Sequence, residues 1–207
     1  MTVTKSANFP FGVVIDGDTA IEKAKVLLAG IPGGAEKAVK SAIPRAVSNL
    51  KANASREIRK EYAISHKDLR TKENVTVRNS GNGFAAEVIF KDNKLPLFRF
   101  FVSPKRPTKK TTPVQAKIKL NSAPKVSVKA FIATMKSGHT GVFERVKQER
   151  DGKVTTVLKE RYALAIPQML ANDDVRNSLV AEAASKFNER VDHEITRILT
   201  MQGGSLN

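Results

Sequence analysis

Apolar residues recur at helical spacing over the first third of the chain, alternate with polar ones through the middle, and return to helical spacing near the end. From Gly34 to Tyr62 the positions Val39, Ile43, Ala46, Leu50, Ala54 and Ile58 share one helical face, which predicts a long helix. Pro44 lies inside it, so the helix either kinks or starts afresh in that turn. Upstream, Asp18 or Thr19 caps a shorter helix over AIEKAKVLLAG, stopped by Gly30 and Pro32. The acidic pair Asp16 and Asp18 therefore reads as a turn with a cap and not as a metal site. The preceding FPFGVVI is too short to assign as a strand. Gly33-Gly34 lacks the Gly-Lys-Ser/Thr ending of a phosphate-binding loop and opens a helix. The last helix starts at Asn172 or Asp173 and carries Val175, Leu179, Val180, Ala183, Phe187, Val191, Ile195 and Ile198 as one stripe. Residues 201–207 form a tail expected to be mobile.

Between these helices the period changes. Ser65-His-Lys-Asp68 fits a capping pattern that opens a short turn around Asp68–Lys72. NVTVRN, Gly81-Asn-Gly83 and FAAEVIF predict a hairpin, with Phe84, Ala86, Val88 and Phe90 on one face. LPLFRFFV is apolar on both faces and reads as a continuing strand, central or at a subunit contact. In VQAKIKL, Val114, Ala116, Ile118 and Leu120 point inward against Lys117 and Lys119. KVSVKA repeats this, with Val126, Val128 and Ala130 inward and Lys125, Ser127 and Lys129 outward. A strand, a tight turn and a strand follow over FIATMKSGHTGVFERV, then an Asp151-Gly152 turn and a strand that ends at Pro167. Residues 168–172 are a connection. The order predicts an α+β fold: an antiparallel sheet packed by a long N-terminal helix and a C-terminal helix, with a basic extended loop. One domain is expected, with a helical region at 1–64, a sheet region at 74–167, a basic arm at 103–113 and the last helix at 173–200.

Charge changes the picture. The 207 residues include 36 Lys and Arg against 20 Asp and Glu, a net charge of +16. The excess is concentrated: Asn93 to Phe143 holds eleven Lys and Arg and no acid. Within it SPKRPTKKTTP has three prolines and four basic residues with nothing apolar to bury, which makes an extended, solvated arm. Such a chain calls for an anionic partner: nucleic acid, a membrane surface or an acidic protein. The long helix adds Lys37, Lys40, Arg45, Lys51, Arg56, Arg59 and Lys60, either a solvated face or a second anion-facing surface. Neither a spanning helix nor a signal peptide is expected.

Candidate chemistry is sparse. With no cysteine, disulfides, thiol nucleophiles and thiolate zinc sites are excluded. His66, His139 and His193 share no spacing, and Ser137 and Ser178 lack a nucleophile-elbow context. Glu144 and Glu160 could face each other across strands, but adjoining Arg145 and Arg161 make cross-strand ion pairs the simpler reading. No catalytic, cofactor or metal residue is expected, and the chain reads as a non-enzyme. Trp is absent, and the ten Phe fall mostly at core-like positions.

Three segments carry a resemblance. They are Gly33-Gly-Ala-Glu-Lys-Ala-Val, then Gly138-His-Thr-Gly-Val-Phe-Glu-Arg-Val146, then Ala163-Leu-Ala-Ile-Pro-Gln-Met-Leu170 leading to Phe187-Asn-Glu-Arg-Val-Asp-His-Glu-Ile195. In combination and order the chain resembles the minor tail protein Z family of tailed bacteriophages, the tail-completion proteins. The resemblance implies a structural virion protein at the head-proximal end of a phage tail. There it completes the tail, joins it to the capsid and seats the genome end, among other tail and neck proteins and without a cofactor. The tail's six-fold symmetry further implies a hexameric ring, assembled in the host cytoplasm. A ring repeats any cationic patch, so double-stranded DNA threading it would be held by its backbone alone. The candidate contacts are Lys105, Arg106, Lys109 and Lys110 in the arm and Lys117 and Lys119 on the adjoining strand. The competing account docks the same arm on an acidic neighbouring ring. Phe143, Arg145, Pro167 and Gln168 are subunit-interface candidates, although a core position is the preferred reading of Phe143. The alternative from another class is a free-standing nucleic-acid-binding protein without sequence preference. It should show a recognition helix or an aromatic stacking surface, which the pattern does not reveal.

Overall fold

The structure, a computed structural model, describes residues 9–16, 18–69, 75–80, 84–108, 112–150 and 152–203. In chain order the elements are β1 (Phe9–Asp16), α1 (Asp18–Leu27), α2 (Gly34–Glu61), β2 (Val75–Ser80), β3 (Ala85–Asp92), β4 (Phe101–Ser103), β5 (Val114–Lys117), β6 (Lys125–Ser127), β7 (Ala130–Thr134), β8 (Thr140–Arg150), β9 (Lys153–Glu160), α3 (Ile166–Leu170) and α4 (Asp173–Gly203). The α+β class is as expected. The single sheet is not: there are three antiparallel sheets, ordered β1-β3-β2, β4-β5-β6 and β7-β8-β9.

Gly33 opens α2 in the left-handed region, at φ 66°, where glycine meets no steric penalty, and its carbonyl accepts the Lys37 N–H. α2 passes through Pro44 without ending. Pro44 is exposed, so the carbonyl it leaves unpaired lies on the side where water can reach it. Ala38, Ala42, Ala46, Leu50, Ala54 and Ile58 are buried along one face. α4 lies antiparallel against α2, since contacts run from Arg45 to Glu194, Arg56 to Glu182 and Glu57 to Ser178. Its expected stripe is buried except Val180, which is 44% exposed because it lies about 100° around the helix from Leu179. α4 also runs on to Gly203, so the tail is helical at its start, and residues 204–207 lie outside the described residues.

FPFGVVI, unassigned from sequence, is β1, paired along its length with β3 from Phe9↔Asp92 to Asp16↔Ala85. The sheet region therefore begins at Phe9 and not at 74. Val13, Ile15, Ala86, Val88 and Phe90 face the helices in the main core. β2 completes the expected hairpin with β3, although its turn at 81–83 lies outside the described residues. A 3-10 turn spans His66–Asp68, at the start of the turn expected around Asp68–Lys72, and Ser65 Oγ donates to the Asp68 carboxylate. Residues 70–72 are not among those described.

LPLFRFFV does not form one strand. Leu97–Arg99 make a 3-10 turn, and the three residues of β4 sit at the edge of a second sheet. β6 reverses the expected facing. Ala116 pairs with Lys125 and Val114 with Ser127, which puts the lysine and serine on the inner face. Val126 and Val128 are left 60% and 71% exposed. A smaller second core joins the two remaining sheets through Val102, Val114, Ala130, Ile132 and Val142. β7 covers β8 only up to Ala130↔Glu144, whereas β9 follows it to Arg150↔Lys153, so the far part of that hairpin is two-stranded. Gly152, at φ 73°, lies in its turn.

β9 ends at Glu160, and Pro167 lies in the first turn of α3, where no N–H is needed. The connection expected at 168–172 is largely this helix. The Gln168 side chain folds back to accept the Ala165 N–H at 3.0 Å. Finally, Tyr62 and Ile64, just past α2, bridge to Lys119 and Phe100 and join the helical half to the second sheet.

Candidate anion-binding face

The basic arm is the loop between β4 and β5, rooted where Ser103 pairs with Gln115. Lys105 and Arg106 are exposed on it, and Thr108 Oγ1 lies 3.5 Å from Thr112 Oγ1 across its far part. Lys109 and Lys110 lie outside the described residues. Lys117 stands opposite Phe101 in the register and so shares the outer face of the sheet with it. Lys119 departs from this group. The chain bends after β5 to bridge Tyr62, whose ring centroid lies 6.0 Å from Lys119 Nζ.

Two hollows flank these residues. The first, about 740 Å³, lies between the end of α2, the 66–68 turn and β4, and is lined by Arg59, His66, Arg99, Phe101 and Lys105 among others. The second, about 440 Å³, is lined by Lys119, Lys125, Arg161 and Tyr162 beside the small core. Lys105 and Lys119 thus border different hollows, and the described candidates do not share one. Sequence reasoning missed Arg59 and Arg99 as members of the first. Arg99 lies within the acid-free tract, and Arg59 on the cationic face of α2, but only the fold brings them together.

The cations differ in how they are neutralised. On the α2–α4 seam Arg45 and Arg197 both pair with Glu194, at 2.8 and 2.7 Å, Arg56 pairs with Glu182 at 3.2 Å, and Lys60 pairs with Glu57 at 2.6 Å. Three of the seven cations on that face of α2, Arg45, Arg56 and Lys60, are therefore taken up in internal pairing. Burial pushes the Glu57 and Glu194 carboxyls up. Hydrogen bonds and positive charge, from Lys60, Ser178 and Arg56 on Glu57 and from Arg197, Arg45 and Ser41 on Glu194, outweigh it and hold both below the usual carboxylate range. Around the first hollow the pattern is the opposite. Arg59 Nε donates to the Ser55 carbonyl at 3.3 Å and Arg99 Nη1 to the Asp68 carbonyl at 3.4 Å. Among the described residues neither Arg59, Arg99 nor Lys105 has a carboxylate within ion-pair distance.

The remaining candidates resolve individually. Arg161 Nη1 pairs with Glu144 at 2.8 Å, as cross-strand pairing predicts. Glu160 does not face Glu144: it stands opposite Phe143, takes His139 Nε2 at 2.8 Å and accepts the Tyr162 hydroxyl at 3.0 Å. Phe143 is buried, and Arg145 is exposed with its guanidinium 4.5 Å from the Phe131 ring centroid. Pro167 is buried and Gln168 half-buried. Among the described residues no group of His, Asp or Glu is arranged to hold a metal ion, and no helix is long and apolar enough to cross a membrane.

A family profile described as prophage minor tail protein Z (GPZ) matches residues 17–202, nearly the whole chain. Neither the curated proteins nor the solved structures yield a match.

Proposed function

The chain belongs to the prophage minor tail protein Z family, structural proteins of the phage tail, and from that premise we propose that it occupies the head-proximal end of the tail. There it completes the tail, joins it to the capsid and seats the end of the genome. Copies assemble in a six-membered ring that follows the tail's symmetry. The arm carrying Lys105 and Arg106 turns toward the lumen, where a cationic collar holds duplex DNA by its phosphates whatever its sequence.

One observation carries this reading. The matched region spans both the helical half and the basic β half, and the exposed cations around the root of the arm, unlike those of the helix seam, are left without carboxylate partners among the described residues. A free surface charge of one sign suits a polyanion better than it suits folding.

The test removes this chain from phage particles and inspects the products by electron microscopy. Filled heads and full-length tails that stay apart, and join when the purified protein is added, are the expected result. Particles that join and infect normally without the chain would sink the proposal. Counting copies at the tail end in reconstituted particles should give six.

A further inference from the structure

We propose that the first hollow binds single-stranded nucleic acid, one base stacking on Phe101 while Arg59, Arg99 and Lys105 hold adjoining phosphates. The inference rests on the reading that nucleic acid passes this face, and adds which strand form the site accepts.

Its size is suitable: about 740 Å³ lies within the range of pockets that take small ligands. The cations come from three separate elements, the last turn of α2, the 3-10 turn at Leu97–Arg99 and the root of the basic arm. Each guanidinium gives one donor to a backbone carbonyl and keeps the others. A guanidinium fork with free N–H groups matches a phosphate's oxygens. Among the described residues Asp68 is the one carboxylate lining the hollow, and it is engaged by Ser65 Oγ.

Phe101 supplies the second component. Phe100 is buried in the main core and Phe101, pointing the other way, is 46% exposed at the rim of the hollow. Its register partner Lys117 lies on the same outer face. An exposed ring amid cations is the combination on which unpaired bases stack, since every base has a π-face. A duplex keeps those faces within its own stack and would meet only the cations. An acidic peptide satisfies the cations but has no flat face for the ring.

The experiment measures anisotropy of a labelled oligothymidylate of about 12 nucleotides, and of a duplex of the same length, with the full chain. The unpaired strand should bind more tightly. Phe101→Ala should weaken it roughly 5- to 150-fold and leave the duplex unchanged, while Phe101→Tyr keeps most of the affinity. Because the ring is exposed, both variants should retain the circular dichroism of the parent chain. Arg59→Gln with Arg99→Gln should weaken binding and flatten its salt dependence by about 0.7 for every phosphate no longer neutralised. Equal affinity for duplex, or indifference to Phe101→Ala, overturns the proposal. So does a Glu-rich peptide that binds with the same Phe101 dependence while the oligothymidylate does not. Any of these outcomes leaves the tail role standing if removing the chain still separates heads from tails, and the tail role can fail while the strand preference holds.

Discussion

Arg45 and Glu194 are 149 residues apart in sequence and 2.8 Å apart in space, where they tie the middle of α2 to the second half of α4. The carboxylate is fully buried and the guanidinium half exposed, so the pair combines a group that needs a partner with one that can fall back on water. Replacing Glu194 by Gln keeps the shape and removes the charge. The unfolding free energy should fall by about 1–3 kcal/mol, because Arg45 and Arg197 regain hydration instead of being stranded. An unchanged urea midpoint would contradict this.

Acid should weaken the same seam. Glu57 and Glu194 both have folded-state pKa values below the ordinary carboxylate range. A depressed pKa contributes stability that is complete above the unfolded value, near 4.3, and is lost as pH falls through the lower folded values. Stability should therefore hold from neutral pH to about 5 and decline below it. The double variant Glu57→Gln with Glu194→Gln should be less stable at pH 7 and show a shallower acid decline, measured by urea unfolding across pH.

Pro44→Ala should stabilise the protein. Alanine at an exposed site inside α2 restores a helical N–H and removes the ring's clash with the preceding turn, a gain of about 1–3 kcal/mol. Thermal unfolding reads it directly. A lower midpoint would mean that a bend at Pro44 is required for packing against α4.

Changing Lys105, Arg106, Lys109 and Lys110 together to Ser should reduce the salt dependence of duplex binding. Each phosphate left without its cation lowers the slope of log K against log salt by about 0.9. Stability should not change, since the described pair, Lys105 and Arg106, is exposed and makes no ion pair among the described residues. An unaltered slope would assign the arm to an acidic protein neighbour.

The long helices and the β2–β3 hairpin were legible because their signals are local: Val39 to Ile58 and Val175 to Ile198 repeat at one period, and Gly81-Asn-Gly83 separates two alternating runs in the sequence. β1 was not, because the strand that makes it one, β3, lies far along the chain. The facing of β6 was inverted for a related reason. Alternation says which residues share a face, but the pairing Ala116↔Lys125 decides which face is buried. Pro167 looked like a strand end since proline cannot extend a sheet, yet it serves equally in the first turn of α3. Of the candidate site, the exposed root of the arm was readable from composition. The partnership of Arg59 with Arg99 was not, because it depends on where the end of α2 meets β4.

The two cores are unequal, and the difference is mechanical. One extends along α1, α2, α4 and the first sheet; the other rests on Val102, Val114, Ala130, Ile132 and Val142 beneath short strands. Local opening costs least where few apolar contacts hold the backbone. Sheets β4–β6 and β7–β9 are thus the compliant half of the molecule, whose amides should exchange with solvent before those of the helices. In the proposed ring, that half would yield to mismatch with a neighbour as a gasket does, while the paired helices keep its dimensions.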